Sequence, residues 1–520
     1  MGNNTKKEKA LKAFNLLSQA MLITGFAVLV MGIAFFVLIN NAVIFSGVAM
    51  GIIFMACLLI FPFGYLIFRK KENRSTKVLA IIFLIIAFAL FLYCLLTSLV
   101  INYFQPLSLS ILSSATLIAG FVILLSGAAL QLLKKDGAML SLMAAISLTA
   151  VSCSGIIWAN TQGYQEFTNI YGEQEFIFSN GEDGYATFRI PSLYSLDCNI
   201  LNDKQGFSLE NDVLLAICEG RINASFDMGD IDMVYKVSAD NGNTWSKLKV
   251  LFSYKDRVGK FGNPTVVLNS NTGNLNMLYL KSGEDNGNRY QTFACELKLN
   301  KNFDLEIIDN IDISLPIDES DKGTAVRSDT LMTGPGKGVQ FDSGEFAGRL
   351  IMPCSNNGYA FVMYSDDNGK TWSRGGNAGT GNECEAAIIN GELIMVVRDN
   401  TNCSAFHGEQ YQRLSYSKDG GISWYEKTAD TILKSPICMS SVDNFNGDLI
   451  MSYPDDFFTR ANLSVAVSKD MGKSFEKKLL YNGASGYSCI TVDSFGNVYV
   501  LAEIGKVNYN EVLVFMRVKI

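Results

Sequence analysis

Hydrophobic positions follow two different patterns along the chain. Five long apolar runs follow one another before residue 160, at 16–39, 42–68, 78–101, 107–133 and 138–158. Each run is long enough to cross a ~30 Å hydrocarbon core as a helix. After residue 174 the apolar runs are short, rich in β-branched and aromatic residues, and separated by Asn, Asp and Gly, which predicts strands and turns. We therefore expect a helical domain at 1–159, a short tether at 160–174 and an all-β domain at 175–520.

Basic residues in the first part occur only at alternate connections between the apolar runs. They lie before the first run, between the second and third, and between the fourth and fifth. By the positive-inside rule this pattern predicts a cytoplasmic amino terminus, and five spans would place the β domain outside the cell. The runs carry no charged side chain deep within them, so we interpret this part as an anchor in a lipid bilayer. The sequence thus predicts a multi-pass cell membrane protein.

Charge is distributed unevenly within the net value of −7. Residues 1–160 carry 11 Lys and Arg against three acidic residues, whereas residues 161–520 carry 32 basic against 47 acidic residues. The net negative charge of residues 161–520 argues against non-specific binding of nucleic acids, which needs a broad basic surface. The single histidine, His407, excludes a His-rich zinc site, and the cysteines include no Cys-x-x-Cys pair. Proton transfer is therefore expected from Asp, Glu, Tyr or Lys, without a cofactor or metal.

One octet, Ser-x-Asp-x-Gly-x-Thr/Ser-aromatic, recurs in the β part. Its four copies begin at Ser238, Ser365, Ser417 and Ser468. The Asp can accept backbone N–H bonds, the Gly allows a positive φ and the aromatic ring can pack the turn onto its sheet, so we interpret the octet as a tight turn. A calcium loop is the alternative, but the acidic spacing of an EF-hand is missing. The last three copies are 52 and 51 residues apart, a spacing typical of propeller blades.

These octets, following the motif Phe188-Arg189-Ile190-Pro191, resemble the Asp-boxes of the sialidase (neuraminidase) family. The resemblance covers about residues 176–520 and not the first part of the chain. It implies an all-β six-bladed β-propeller as the catalytic domain. The complete fold that we expect is this propeller, preceded by an α-helical transmembrane domain of about five spans, with the catalytic domain extracellular.

The resemblance also implies a set of site residues in the family's order. The implied catalytic residues are Asp227, Glu383 and Tyr487, and the implied substrate-binding residues are Arg189, Arg221, Arg398, Arg460 and Glu503. In the family, three arginines bind the carboxylate of sialic acid, and the match places them at Arg189, Arg398 and Arg460. Two sets of rivals remain from the residues alone: Glu385 for Glu383, and Asp230 or Asp232 for Asp227.

The implied chemistry fits these residue types. Sialic acid carries a carboxylate on its anomeric carbon, and planar guanidinium groups bind a carboxylate through paired hydrogen bonds. A carboxylate nucleophile would be repelled there, whereas a neutral tyrosine hydroxyl is not, and sialidases are the tyrosine-nucleophile exception among glycosidases. In this scheme Asp227 protonates the leaving oxygen and then activates water, Glu383 accepts the proton of Tyr487, and Glu503 braces Arg189.

The sequence therefore predicts a glycoside hydrolase, an exo-α-sialidase that releases terminal sialic acid from glycoproteins, glycolipids or oligosaccharides with retention through a tyrosyl-linked intermediate. The alternatives are a trans-sialidase with the same residues and a non-catalytic membrane lectin that binds sialic acid. The expected partners are sialylated glycans and the lipid bilayer. Neither a nucleic acid nor a protein partner is predicted.

Overall fold

The described part of the chain is almost entirely β-structure. The computed structural model describes residues 173–223, 227, 229–255, 260–282, 290–314, 330–356, 358–398, 412–426, 433–456, 460–506 and 508–520. These residues belong to the second of two compact units, Phe167–Ile520. One short helix, α1 (Cys198–Gln205), is found among them.

The strands of this unit form five sheets, of which the first four follow one another along the chain. The opening strand, β1 (Glu173–Ser179), belongs to the fifth sheet. The first sheet contains β2 (Thr187–Leu196), β3 (Val213–Arg221), β4 (Ile231–Ser238) and β5 (Lys249–Phe252). The second contains β6 (Lys260–Leu268), β7 (Leu275–Ser282), β8 (Gln291–Leu299) and β9 (Leu305–Asp312).

The third and fourth sheets have shorter strands. The third contains β10 (Met332–Thr333), β12 (Val339–Gln340), β13 (Leu350–Asn356), β14 (Tyr359–Ser365), β15 (Ser373–Arg374) and β16 (Gly379–Thr380), while β11 (Gly336–Lys337) pairs in parallel with β6 of the second sheet. The fourth contains β17 (Cys384–Ile389), β18 (Glu392–Val397), β19 (Arg413–Ser417) and β20 (Tyr425–Glu426).

The fifth sheet is the widest, with seven strands. It contains β21 (Ser441–Phe445), β22 (Asp448–Pro454), β23 (Ala461–Ser468), β24 (Glu476–Val492), β25 (Val498–Gly505), β26 (Val512–Val518) and finally β1. The 17-residue strand β24 joins its two halves: the first half of β24 pairs with β23 and the second half with β25. β1 pairs with β26, so the start of the described chain is hydrogen-bonded to its end.

The prediction of six separate blades is therefore wrong, because five hydrogen-bonded sheets are found in the described residues. The physical reason lies in β24, which runs without interruption over 17 residues and pairs with β23 on one side and β25 on the other, so that seven strands form one sheet. The arrangement is nevertheless propeller-like, since buried apolar clusters join successive sheets. In one such cluster Phe188 and Leu214 of the first sheet meet Tyr499 and Phe515 of the fifth.

The predicted transmembrane domain also has to be corrected. Among the described residues no helix is both long and apolar enough to cross a membrane. Apolar residues there lie in strands separated by turns rather than in runs of about 20 residues. The five expected spans, at 1–159, lie outside the described residues, and the domain boundaries at 159 and 174 stay predictions. We therefore do not retain the α-helical five-span domain, the bilayer as a partner or the multi-pass cell-membrane location.

The four octets form one repeated turn that their own side chains hold. In the first copy, Asp240 accepts hydrogen bonds from the Thr244 N–H at 2.9 Å, the Thr244 hydroxyl at 2.6 Å and the Ser238 hydroxyl at 2.8 Å. The same three contacts recur around Asp367, Asp419 and Asp470. The residue after the aspartate always has a positive φ, from 60° at Asn241 and Met471 to 65° at Gly420.

Met471 is the unfavourable residue in this series, because left-handed backbone is costly for most side chains and tolerated by Asn or Gly. We expect Met471→Asn to raise the free energy of unfolding by about 1 kcal/mol, measured by urea denaturation. The reciprocal change at the equivalent position, Asn241→Met, should lower the same quantity. Opposite results in both variants would show that the packing of Met471 outweighs its backbone conformation.

Candidate functional site

The carboxylate of Glu503 lies at the centre of the candidate site. It is fully buried on β25 and accepts hydrogen bonds from Arg189 through Nε and Nη2, each at 3.1 Å. The same carboxylate also accepts the backbone N–H groups of Ile190 at 3.0 Å and Tyr487 at 3.2 Å. Arg189 and Ile190 form an irregularity in β2, where Ile190 has a φ of 59°, a costly conformation for a β-branched residue. Glu503 therefore holds the irregular segment of β2 at Arg189 and Ile190 next to Tyr487 of β24.

Tyr487, Glu383 and Arg398 form a second, connected group. The Tyr487 hydroxyl lies 2.6 Å from Glu383 Oε1 and accepts a hydrogen bond from Arg398 Nη1 at 2.6 Å. Arg398 also forms an ion pair with Glu383. Glu383 precedes β17 and Arg398 follows β18, and the Arg398 N–H bonds to the Glu383 carbonyl at 2.9 Å. The end of one hairpin therefore presents both side chains to the tyrosine.

Three guanidinium groups surround the ring of Tyr487. The central guanidinium carbons of Arg189, Arg398 and Arg460 lie 5.5, 6.0 and 5.2 Å from its centroid. Burial acts to lower the pKa of both Arg189 and Arg398. The negative charge of Glu503 beside Arg189, and of Glu383 beside Arg398, outweighs this effect and raises the pKa of each arginine. Burial, with a contribution from Glu383, also raises the pKa of Tyr487 well above its ordinary value, although Arg398 and Arg460 oppose this. The tyrosine is therefore a neutral hydroxyl at physiological pH.

Asp227 lies on a loop beside these arginines. Its Oδ1 is 2.9 Å from Arg221 Nη2 and 3.7 Å from Arg189 Nη1, while its side chain is 77% exposed. Burial acts to raise the pKa of this carboxyl, but Arg221 and Arg189 hold it below the usual range. Arg221 is itself buried and bound to Glu219, whose Oε2 accepts from Arg221 Nε at 3.0 Å.

The two rivals of Asp227 lie elsewhere. Asp232 is buried and accepts hydrogen bonds from the Tyr185 hydroxyl at 2.7 Å and the Tyr254 N–H at 2.8 Å. Asp230 accepts a hydrogen bond from the Asn223 side chain at 3.3 Å. No contact of either carboxylate with Arg189, Arg398 or Arg460 is found in the described residues. Of these three aspartates, Asp227 is therefore the one that contacts Arg189.

Glu385, the rival of Glu383, belongs to a different buried cluster. It is fully buried and accepts hydrogen bonds from the Ser441 hydroxyl and, at 3.1 Å, from the Val442 N–H. Its Oε1 lies 3.7 Å from Lys337 Nζ, and that ammonium is also 3.0 Å from Asp443. Burial raises the pKa of Glu385 to about 7, although Lys337 opposes the shift. Glu385 therefore belongs to a buried cluster with Lys337 and Asp443, and no hydrogen bond from it to Tyr487 or Arg398 is found in the described residues.

Three residues of the site were not predicted from the sequence. Glu219 stands two residues before Arg221 on the same strand, and this i, i+2 spacing could have indicated the pair. Tyr509 lies 5.5 Å from Arg189 and 4.8 Å from Arg460, measured from ring centroid to guanidinium carbon. Lys260 donates to the backbone oxygen of Asp227 at 2.7 Å. No local pattern marks Tyr509 or Lys260.

One group of possible metal ligands occurs in the described residues, at Asp197, Cys198 and Asp212. Asp212 already accepts hydrogen bonds from the Ser195 hydroxyl, the Cys198 N–H and both the N–H and hydroxyl of Ser494, at 2.8–3.1 Å. A cation would have to displace these donors. The arrangement is therefore that of a structural carboxylate.

The raised pKa of Glu385 makes stability depend on pH. The pKa of Glu385 in the folded state lies above its ordinary value of 4.5. The protonated carboxyl therefore makes its full contribution to the free energy of unfolding below about pH 4.5, and this contribution is lost as pH rises through about 7. We expect Glu385→Gln to remove this loss. The free energy of unfolding of the variant, relative to that of the wild type, should therefore rise by on the order of 2 kcal/mol between pH 4.5 and 7. Chemical denaturation across this range measures the difference. A stability difference between Glu385→Gln and the wild type that does not change with pH over this range would contradict the prediction.

Comparisons with known proteins place the chain in a family. Residues 214–500, more than half of the chain, match the family described as BNR repeat-like domain. A sialidase of Micromonospora viridifaciens is 24% identical over 362 residues, covering 65% of this chain and 52% of the relative. A sialidase of Clostridium perfringens is 29% identical over 272 residues, covering 46% and 66% respectively. The chain thus spans about half to two thirds of the length of these curated relatives.

Solved structures extend the similarity to the fold. The Hadza microbial sialidase Hz136 superimposes with a TM-score of 0.53 at 22% identity, covering 67% of this chain and 68% of that one. A leech intramolecular trans-sialidase, complexed with 2,7-anhydro-Neu5Ac, superimposes with a TM-score of 0.52 at 16% identity, covering 68% and 70%. The described sheets therefore share their fold with these proteins. The chain belongs to the BNR repeat-like domain family, and the relatives it resembles are sialidases.

Proposed function

We propose that this protein is an exo-α-sialidase that hydrolyses terminal sialic acid from glycoproteins, glycolipids or oligosaccharides. The observation that carries the proposal is the Tyr487 hydroxyl, held between Glu383 and Arg398 and surrounded by three arginines. A neutral hydroxyl beside a carboxylate base, next to groups that bind an anion, suits attack on a carbon that carries a carboxylate. The similarity to sialidases in sequence supports the same substrate class.

The arginines would bind the substrate carboxylate. Arg189, Arg398 and Arg460 present planar donors around one ring, which matches bidentate recognition of a carboxylate. Glu503 fixes the orientation of Arg189 through two hydrogen bonds, so little conformational freedom is lost when the substrate binds. Because arginine keeps its charge at every physiological pH, binding does not depend on its titration.

Tyr487 would attack the anomeric carbon while Glu383 accepts its proton. The raised pKa of Tyr487 disfavours a free phenolate, so proton transfer has to accompany the attack. The short distance to Glu383 makes this transfer direct. The resulting tyrosyl-linked glycosyl intermediate would then be hydrolysed by water, which gives the product with retained anomeric configuration.

Asp227 would donate a proton to the leaving oxygen and then activate water. In the unliganded arrangement its carboxylate contacts Arg221 and Arg189, which favours the charged form. A substrate carboxylate on Arg189 would replace the 3.7 Å contact and bring a second negative charge nearby, and both effects raise the pKa of Asp227. Substrate binding would therefore prepare the carboxyl for its role as an acid.

The nucleophile is tested by Tyr487→Phe in the full-length chain. We expect kcat for 3′-sialyllactose to fall by at least about 10²-fold, because the substitution removes the attacking oxygen and leaves the ring in place. Tyr359→Phe is the matched control, since Tyr359 is an exposed tyrosine on β14 and its loss should leave activity unchanged. Normal activity in Tyr487→Phe would reject the assigned nucleophile. Affinity for sialyllactose without turnover in the wild type would favour the lectin alternative.

Product analysis tests the reaction type. We expect proton NMR of early reaction mixtures to show free sialic acid first as the α-anomer, because two displacements at one carbon retain configuration. The same reaction with the p-nitrophenyl sialoside as donor and added lactose detects transfer as newly formed sialyl-lactose. An initial β-anomer would exclude the tyrosyl intermediate, and transfer in excess of hydrolysis would favour a trans-sialidase.

A further inference from the structure

Lys260 is a buried cation in contact with the loop that carries Asp227. It is the first residue of β6, in the sheet next to that of Arg221, and it is 8% exposed. Its ammonium donates to the backbone carbonyl oxygen of Asp227 at 2.7 Å. The same nitrogen lies 4.5 Å from the centroid of the Tyr290 ring.

Burying an ammonium group is costly, so its placement has to be offset by specific contacts. Burial lowers the pKa of Lys260, while the negative charges of Glu219 and Asp227 act in the opposite direction. The face of the Tyr290 ring adds a favourable cation–π contact. Lys260 thus connects the second sheet to the Asp227 loop.

Two kinds of contact hold Asp227, and they respond differently to protonation. The ion pairs of its carboxylate with Arg221 and Arg189 depend on the negative charge. When Asp227 is protonated, as a general acid must be before it acts, this attraction is lost. The hydrogen bond from Lys260 ends on the backbone carbonyl oxygen, so it persists in both protonation states. Because the side chain is 77% exposed, the backbone hydrogen bond is the described contact that still limits the position of the protonated carboxyl.

We propose that Lys260 is a positioning residue for the general acid: it fixes the backbone of Asp227 so that the protonated carboxyl stays beside the leaving oxygen. This inference rests on the proposed sialidase function. It predicts a defect in acid catalysis specifically, and not in substrate binding or in attack by Tyr487.

The test compares two leaving groups in the full-length chain. Departure of the lactose alcohol from 3′-sialyllactose needs a proton, whereas a nitrophenolate leaves well without one. We expect Lys260→Met to lower kcat/KM for 3′-sialyllactose by about tenfold or more, and for the p-nitrophenyl sialoside by less than about threefold. Met keeps the apolar stem and removes the ammonium. Lys260→Arg, which keeps a charged donor, should lose less than Lys260→Met.

Two controls separate the possible failures. Asp227→Ala should show the same dependence on the leaving group, with a larger loss of kcat/KM for 3′-sialyllactose. If the loss in Asp227→Ala does not depend on the leaving group, the acid assignment and this inference are overturned together. Lys249→Met removes an ammonium that donates to the Phe303 carbonyl oxygen at 2.9 Å in the neighbouring sheet, and it should leave both rates unchanged. Equal losses with both substrates in Lys260→Met, or no loss, would overturn the inference while leaving the proposed function intact. If Lys260→Met does not fold, judged by near-UV circular dichroism, the same comparison on Lys260→Gln decides, because Gln is uncharged and too short to keep the hydrogen bond to the Asp227 carbonyl oxygen. A loss confined to sialyllactose supports the inference, and equal losses or no loss overturn it.

Discussion

The buried carboxylate of Glu503 is the interaction on which the site depends. It joins Arg189 in the first sheet to Tyr487 in the fifth, although Arg189 and Glu503 are 314 residues apart in the chain. A fully buried carboxylate is tolerated only when charged and polar partners satisfy it, and here four donor atoms do so. Removal of one partner from such a buried pair typically costs about 3–5 kcal/mol. The Glu503 carboxylate therefore links the first and fifth sheets, beside the apolar cluster that also joins them, and orients two residues of the candidate site.

The same logic explains how several arginines can lie together around Tyr487. Each guanidinium has a fixed acceptor: Glu503 for Arg189, Glu383 for Arg398 and the Ile437 carbonyl oxygen for Arg460. These acceptors reduce the repulsion between like charges and restrict the rotamers of the long side chains. The aromatic rings of Tyr487 and Tyr509 add contacts with the planar cations. The result is a set of donors whose positions are fixed by contacts within the protein.

Local patterns in the sequence were informative where the structure itself is local. The octets predicted tight turns because the Ser, Asp, Gly and Thr of each copy bond to one another within a few residues. All eight implied site residues could be named from short motifs, and the structure brings seven side chains together around Arg189 and Tyr487, with Arg221 attached through Asp227. The number of sheets was mispredicted, because the continuity of β24 depends on strand pairing on both sides and not on its own residues. The membrane prediction relied on apolar runs that lie outside the described residues. Among the described residues, no helix is long and apolar enough to support it.

The sequence alone determined which side chains are available and how each turn is formed: a single histidine, an acidic second part, short β-branched and aromatic runs and octets that can form their own internal bonds. It left the choice between Glu383 and Glu385 open, because two residues so close in the chain have equivalent local signals. Only the tertiary structure separates the two residues, since the hairpin end places Glu383 on the Tyr487 hydroxyl and Glu385 against Lys337, and this placement supports the proposed role of Glu383. Tertiary structure also added Glu219, Lys260 and Tyr509 to the site. Glu219 lies beside its partner Arg221 on one strand, so its contact is local. For Glu383, Lys260 and Tyr509 the physical reason is different: their contacts join segments that are far apart in the chain, and such distances are set by packing and not by spacing along the chain.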